Sequence, residues 1–182
     1  MIKLIVGKQN SGKSALAEKL ALETGDEKIY YLATMKVMDK AGEERVERHR
    51  KQREGRGFIT IEKQKDIAGV LDDRADASGS AVLLECVANL VSNEIFDGSD
   101  IASENSFTDE ACEEIAKAVS CEIRELSAKV KDLIIVTDEY EKDGEGYDDP
   151  TRFYVKTLSR SNELIKAYCD RVYDLQDKNG DA

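Results

Sequence analysis

The sequence predicts an α/β fold in which helices cover a mostly parallel central sheet, and three observations carry that prediction. Short apolar runs alternate with helical patterns along the chain. Several of those runs are apolar throughout, as expected of strands covered on both faces rather than one. The first run passes through a glycine-rich turn directly into an alanine- and leucine-rich stretch. Alternation of this kind favours right-handed strand–helix–strand crossovers and hence three layers, helix on sheet on helix.

The elements follow in order. The runs "IKLIV" (2–6), "KIYYLA" (28–33), "FITI" (58–61), "AVLLE" (81–85), "DLIIV" (132–136) and "RVYDL" (171–175) read as strands. Residues 13–23 read as the first helix. Residues 108–130 place Cys112, Ile115, Val119, Ile123, Leu126 and Val130 on one stripe, the spacing of an amphipathic helix. Tyr154, Leu158, Ser161, Ile165 and Tyr168 repeat that spacing later. The stretches 55–57, 76–80, 97–106 and 141–150 are rich in Gly, Ser and Asp and read as surface loops, the last holding the only proline, Pro150. No internal repeat or linker divides the chain, so residues 1–182 are expected to form one domain.

Composition narrows the function. Hydrophobic residues at 41% and charged residues at 36% fit a folded protein with a heavily charged surface rather than a disordered chain. A net charge of −11 argues against general nucleic-acid binding, which needs a surplus of Lys and Arg, so any bound phosphate must be held locally. No apolar run approaches the roughly 20 residues of a membrane span, and the N-terminal stretch turns polar too early for a secretory signal, so a cytoplasmic location is expected. Cys86, Cys112, Cys121 and Cys169 form no C-x-x-C pair, and a single histidine leaves too few partners for a mixed zinc site. Buried reduced thiols are the expectation.

The sharpest chemical signal is "GKQNSGKS", residues 7–14, which matches G-x-x-x-x-G-K-[ST] in the required place between a strand and a helix. Gly7 and Gly12 let the backbone curl so that the N–H groups of Lys8, Gln9, Asn10 and Ser11 converge on phosphate oxygens. The helix that follows adds the positive end of its dipole. Lys13 is then placed to bridge the β- and γ-phosphates, and Ser14 offers a hydroxyl to Mg²⁺. The fold expectation sharpens to a P-loop NTPase-like, three-layer architecture.

Such a site needs a second carboxylate at the end of another buried strand. Glu85 closes "AVLLE" directly after four apolar residues, and a carboxylate there is costly unless it meets a cation or donors. Asp138 and Glu139, after "LIIVT", are the other candidates.

The only histidine, His49, stands in "ERVERHRKQR" (44–53) among four arginines and a lysine. If residues 40–53 are helical, Arg45, His49 and Arg53 share one face, while Glu44–Arg48 and Glu47–Lys51 pair along neighbouring faces. The arginines can clamp phosphate oxygens, and their charge favours the neutral, nucleophilic imidazole. The plainer reading is a solvated, charge-rich helix on which a histidine happens to sit.

Taken together, "GKQNSGKS", "YYLATM", "ERVERHRKQR", "VLLECVANLVSNEIF" and "LIIVTDE", in this order and over nearly the whole chain, resemble the bifunctional adenosylcobinamide kinase / adenosylcobinamide-phosphate guanylyltransferase family of cobalamin biosynthesis. The resemblance implies phosphorylation of adenosylcobinamide by a nucleoside triphosphate. It then implies transfer of GMP from GTP, through a guanylylated histidine, to give adenosylcobinamide-GDP. By position His49 matches the guanylylated histidine, Lys13 and Ser14 the phosphate and magnesium residues, and Glu85 the acid of the "ECV" segment. Thr34 of "LAT" and Arg45, Arg48 and Arg53 join the implied nucleotide site, with GTP, ATP and Mg²⁺ as its ligands. A homotrimer is also implied.

The sequence departs from the family pattern V-T-N-E-V-G-x-G at "VTDEYEKDGEGYDD", where Asp138 replaces an asparagine. It departs again at "RFYVKTLSRSNE", which keeps Arg152, Tyr154 and Asn162 but loses an Arg–Asp pair, a glycine and a glutamine. Two other readings fit the same residues: a P-loop small-molecule kinase without guanylyl transfer, and a regulatory protein that binds nucleotide without turnover.

Overall fold

The computed structural model describes residues 1–37, 40, 44, 47, 50, 51, 53, 55–96, 107–140 and 146–175. Among these, six strands form one sheet: β1 (Ile2–Gly7), β2 (Ile29–Ala33), β3 (Phe58–Glu62), β4 (Ala81–Glu85), β5 (Asp132–Asp138) and β6 (Arg171–Asp174). Their order across the sheet is β3-β2-β4-β5-β1-β6, and every neighbouring pair is parallel. The expected α/β architecture is present, with a wholly parallel sheet.

Among the described residues, four continuous helices cover the sheet, α1 (Lys13–Leu22), α2 (Val87–Phe96), α3 (Asp109–Lys129) and α4 (Asp149–Lys166), and residues 40, 44, 47, 50, 51 and 53 are helical too. The central strands are buried on both faces because helices lie on either side. Leu4, Ile5, Val6, Leu83, Leu84, Leu133, Ile134 and Ile135 are each at most 1% exposed. Full burial of one such side chain is worth about 1.5–3 kcal/mol relative to water. β3 is an edge strand and none of its residues is fully buried: Phe58 and Ile61 are half-buried, and Ile59, at 38%, Thr60 and Glu62 are exposed.

The stripe predicted for residues 108–130 is buried throughout, and its helix begins where Thr108 accepts a hydrogen bond from Ala111 N at 3.2 Å. The loop predicted over 141–150 ends earlier than expected. Asp148 caps α4 by accepting from Thr151 N at 2.9 Å, and Pro150 falls in the first helical turn, where its missing N–H costs nothing. α4 stops at Lys166, short of Tyr168, which still packs inward and donates to Ser120 O at 3.0 Å.

The stretch 76–80 is not wholly a surface loop. It holds a 3-10 turn, Ala77–Gly79, with Ala77 and Ser80 buried, because it plugs the sheet beneath the start of β4. The stretch 97–106 and residues 141–145 lie outside the described residues. The cysteines are free thiols. Cys86 and Cys112 are buried as expected, but Cys121 is exposed on α3 and Cys169 only half-buried. No helix among the described residues is long and apolar enough to cross a membrane.

With all strands parallel, their carboxyl ends share one edge. Register places Gly7 beside Asp138, and Ala33 between Glu62 and Glu85. Because the chain leaves β1 toward β2 and returns to β6 on the opposite side, a crevice opens outside that edge.

Candidate active site

The loop joining β1 to α1 curls over the crevice in a shape that its residues dictate. Asn10 and Gly12 take positive φ angles of 62° and 88°, a region open to Gly and tolerated by Asn. At Gly7 a Cβ would lie 2.6 Å from Ser11 Oγ and 3.1 Å from Leu175 Cβ, so a larger residue would displace the Ser11 side chain from its place in the loop. Gly12 caps α1 without a side-chain hydrogen bond, leaving the N–H groups of the first turn directed at the crevice.

Lys13 is 8% exposed; its ammonium donates to Lys8 O at 2.6 Å and lies 2.8 Å from Asp138 Oδ1. Ser14 Oγ donates to Glu85 Oε1 at 2.5 Å. The other Glu85 oxygen accepts from the Tyr31 hydroxyl at 2.9 Å. Burial first, then the nearby Glu85 charge, push the Tyr31 phenol well above its usual range, so it is a neutral donor.

Asp138 is held from behind. Asn162, 3% exposed, donates to Asp138 O at 3.0 Å and accepts from Thr137 Oγ1 at 2.7 Å. Glu139 N donates to Gly7 O at 3.3 Å and ties the end of β5 to the start of the loop.

Opposite the loop, Arg50, Arg53 and Arg56 reach a cleft of about 910 Å³ that Gln9–Ser14, Glu85 and Asp138 also line. Arg50 is ion-paired with Glu62, and Arg56 with Glu18. Arg53 is different: it is 6% exposed, its guanidinium stands 3.4 Å over the Tyr31 ring, and its Nε and Nη1 are buried without a hydrogen-bond partner. The expected Glu47–Lys51 pair is present at 3.4 Å.

The structure thus brings Gln9, Asn10, Ser11, Gly12, Lys13, Ser14, Glu85 and Arg53 around one cleft, with Gly7 and Lys8 shaping the loop beneath them. Thr34 is placed differently. It is fully buried, and its hydroxyl donates to Cys86 O at 2.8 Å and accepts from Cys86 N at 2.7 Å, so it braces β2 against the turn after β4 rather than facing the cleft. Asn93 extends that brace by donating to Thr34 O at 2.8 Å. Arg45, Arg48 and His49 lie outside the described residues.

Sequence reasoning missed Tyr31, Glu18, Glu62 and Arg56. Their roles depend on which strands become neighbours, and the one local hint was a tyrosine inside an apolar run two residues before its end. Asn162 was noted only as a residue that the family pattern shares.

A parallel α/β sheet, a glycine loop presenting Lys13 and Ser14 at the start of a helix, and a carboxylate from a second strand define a P-loop-like α/β protein. Residues 3–176 match the cobinamide kinase / cobinamide phosphate guanyltransferase family, and the chain belongs to that family of transferases. Over 144 residues, 76% of this chain and 75% of the relative, it is 31% identical to the bifunctional adenosylcobalamin biosynthesis protein CobU of Escherichia coli. Over 90 residues, half of each chain, it is 36% identical to the bifunctional adenosylcobalamin biosynthesis protein CobP of Pseudomonas aeruginosa.

Two solved structures are more distant. The flagellar accessory protein FlaH of Methanocaldococcus jannaschii aligns at TM-score 0.46 and 13% identity, covering 95% of this chain and 70% of its own. The RadB recombinase aligns at TM-score 0.49 and 14% identity, covering 95% and 73%. The fold assignment stands on strand order and register instead.

Proposed function

We propose that this protein phosphorylates adenosylcobinamide with a nucleoside triphosphate and then transfers GMP from GTP to the product, through a guanylylated His49, giving adenosylcobinamide-GDP. One observation carries the reading. The P-loop residues Lys13 and Ser14 and two arginines of the histidine-bearing segment, Arg50 and Arg53, line the same cleft, although they are some 40 positions apart in sequence.

In the first step the loop N–H groups and Lys13 take the β- and γ-phosphate oxygens, Lys13 exchanging its Asp138 contact for them. The substrate hydroxyl oxygen attacks the γ-phosphorus and the bond to the β-bridging oxygen breaks. The hydroxyl proton passes to solvent. Ser14 Oγ and Glu85, held 2.5 Å apart, are hard oxygen donors suited to Mg²⁺. A bound Mg²⁺ would neutralise charge on the β- and γ-phosphates.

In the second step the neutral His49 imidazole attacks the α-phosphorus of GTP, and the α–β P–O bond breaks to release pyrophosphate. An oxygen of adenosylcobinamide phosphate then attacks the same phosphorus, the P–N bond breaks, and imidazole is regenerated. Arg53, buried and lacking a carboxylate partner among the described residues, takes a phosphate oxygen during transfer. The assembly is proposed to be a homotrimer, which light scattering on the eluted protein reads directly.

The test is mass spectrometry after mixing with GTP and Mg²⁺. An acid-labile GMP adduct on His49 is expected. No adduct, with nucleotide-dependent phosphorylation of adenosylcobinamide retained, would leave a kinase without guanylyl transfer. Tight nucleotide binding without either reaction would leave a regulatory protein.

A further inference from the structure

Among the described residues three arginines face the cleft, and two are already neutralised: Arg50 by Glu62 and Arg56 by Glu18. Arg53 is the most buried of them; its guanidinium stacks on the face of a neutral ring, and among the described residues it has no carboxylate partner. Burying a guanidinium without a counter-ion is unfavourable, and stacking on an aromatic face offsets only part of that cost. The arrangement is stable in full when an anion enters the cleft and takes the free N–H groups. The ring beneath Arg53 belongs to Tyr31, whose hydroxyl also donates to Glu85.

We propose that Tyr31 is a positioning residue that serves both ends of the bound nucleotide: its ring holds Arg53 ready for a phosphate, and its hydroxyl orients the Glu85 carboxylate beside Ser14. The inference rests on the nucleotide reading above and goes beyond it, because neither step of that reading uses Tyr31.

The geometry supports each half. On the ring side, Arg53 Cζ lies 3.4 Å from the Tyr31 centroid, and Phe58 packs edge-on against the same ring at 6.4 Å, fixing its tilt. Planar stacking keeps the guanidinium in place without donating a negative charge that would compete with the ligand. A carboxylate in that position would quench Arg53 as Glu62 and Glu18 quench its neighbours.

On the hydroxyl side, Glu85 is gripped through both oxygens, Oε2 by Tyr31 at 2.9 Å and Oε1 by Ser14 at 2.5 Å. Two donors from two different strand-to-helix layers leave its carboxyl plane one orientation. Loss of the Tyr31 donor frees the carboxylate to rotate while Ser14 stays put. Outer hydrogen bonds of this kind typically change metal affinity 10- to 100-fold.

The two functions separate by substitution, read by titrating the full-length protein with the fluorescent nucleotide mant-GTP, first without metal and then with increasing Mg²⁺. Tyr31→Phe keeps the ring and removes only the hydroxyl. It is expected to bind mant-GTP without metal within about twofold of the unsubstituted protein, while the Mg²⁺ midpoint rises about tenfold. Arg53→Ala is expected to do the reverse: metal-free affinity falls about tenfold or more and the Mg²⁺ midpoint at saturating nucleotide stays within about twofold. Arg53→Lys, which keeps the charge and loses the planar face, should fall between.

Tyr31→Leu should show both defects; if it fails to fold, as judged by near-UV circular dichroism, Tyr31→Phe and Arg53→Ala still decide. An unchanged Mg²⁺ midpoint in Tyr31→Phe overturns the proposal. So does equal loss of both readouts in that variant, which would mark a merely structural tyrosine, and so does unchanged metal-free binding in Arg53→Ala. If the unsubstituted protein binds no mant-GTP at all, the nucleotide reading itself fails, an outcome visible before any variant is compared.

Discussion

The ammonium of Lys13 lies 2.8 Å from the carboxylate of Asp138, so the lysine of the glycine loop is already paired with the neighbouring strand. Lys13 is 8% exposed and Asp138 21%, which places the pair where solvent screens it only weakly. Asp138 stands where the family pattern has asparagine, and it adds a negative charge to a cradle shaped for phosphates. Asp138→Asn should therefore tighten binding of a nucleoside triphosphate, by roughly 5- to 20-fold on the strength of one partly buried charge contact. Calorimetric titration reads this directly. Weaker binding in the variant would instead assign Asp138 to the ligand or its cation.

On the proposed two-step reading, in which one loop holds the triphosphate for both reactions, Lys13→Ala should disable both transfer steps. His49→Ala should spare phosphorylation and remove guanylyl transfer. Assays of the two half-reactions on each variant check the separation, and equal loss of both activities in a folded His49→Ala protein contradicts it.

Asn162 serves the site at one remove. Its amide closes hydrogen bonds to Asp138 O and Thr137 Oγ1 in an environment 3% exposed. Asn162→Ala removes both bonds and leaves those groups only the long contact from Thr137 Oγ1 to Asp138 O at 3.4 Å, at a cost of about 1–3 kcal/mol. Urea unfolding should show that loss, and nucleotide affinity should change with it because the end of β5 is tied through Glu139 N to Gly7.

The outer surface supplies a pH test. Hydrogen bonds from Arg160 on α4 hold the Glu113 carboxyl of α3 at about 2, against an ordinary 4.5. A carboxyl depressed in the folded state stabilises above its unfolded value and loses that contribution as pH falls through the folded one. Glu113→Gln should lower Tm modestly at neutral pH. The gap between the two proteins should close as pH drops from about 4.5 to about 2. Melting curves across that range check it, and added salt should narrow the gap at neutral pH.

Thiol reactivity should follow burial. Cys86 is pushed up to about 12 by burial, whereas Cys121 is exposed on α3. Iodoacetamide at mildly alkaline pH should modify Cys121 while Cys86 stays intact. Peptide mapping of the native protein reads the order, and early labelling of Cys86 would indicate that the turn after β4 opens.

By itself the sequence determined what depends on neighbours along the chain. The alternation of apolar runs and amphipathic stripes was enough for six strands and the long helices, because burial on both faces of a sheet leaves its mark in each strand separately. The P-loop was legible because eight consecutive residues contain its glycines, lysine and serine, and Glu85 because an acid after four apolar residues must meet a donor. Only the tertiary structure decided which distant groups those residues meet. Whether Lys13 faces Asp138, and whether Tyr31 lies between Arg53 and Glu85, follows from strand order, which inserts β5 between β1 and β4 and sets β2 beside β4. Thr34 shows the same limit from the other side: its place in the "LAT" run suggested a ligand contact, and packing against Cys86 turned its hydroxyl inward. A pattern along one strand records that a side chain is buried, and the pairing of strands fixes what it is buried against.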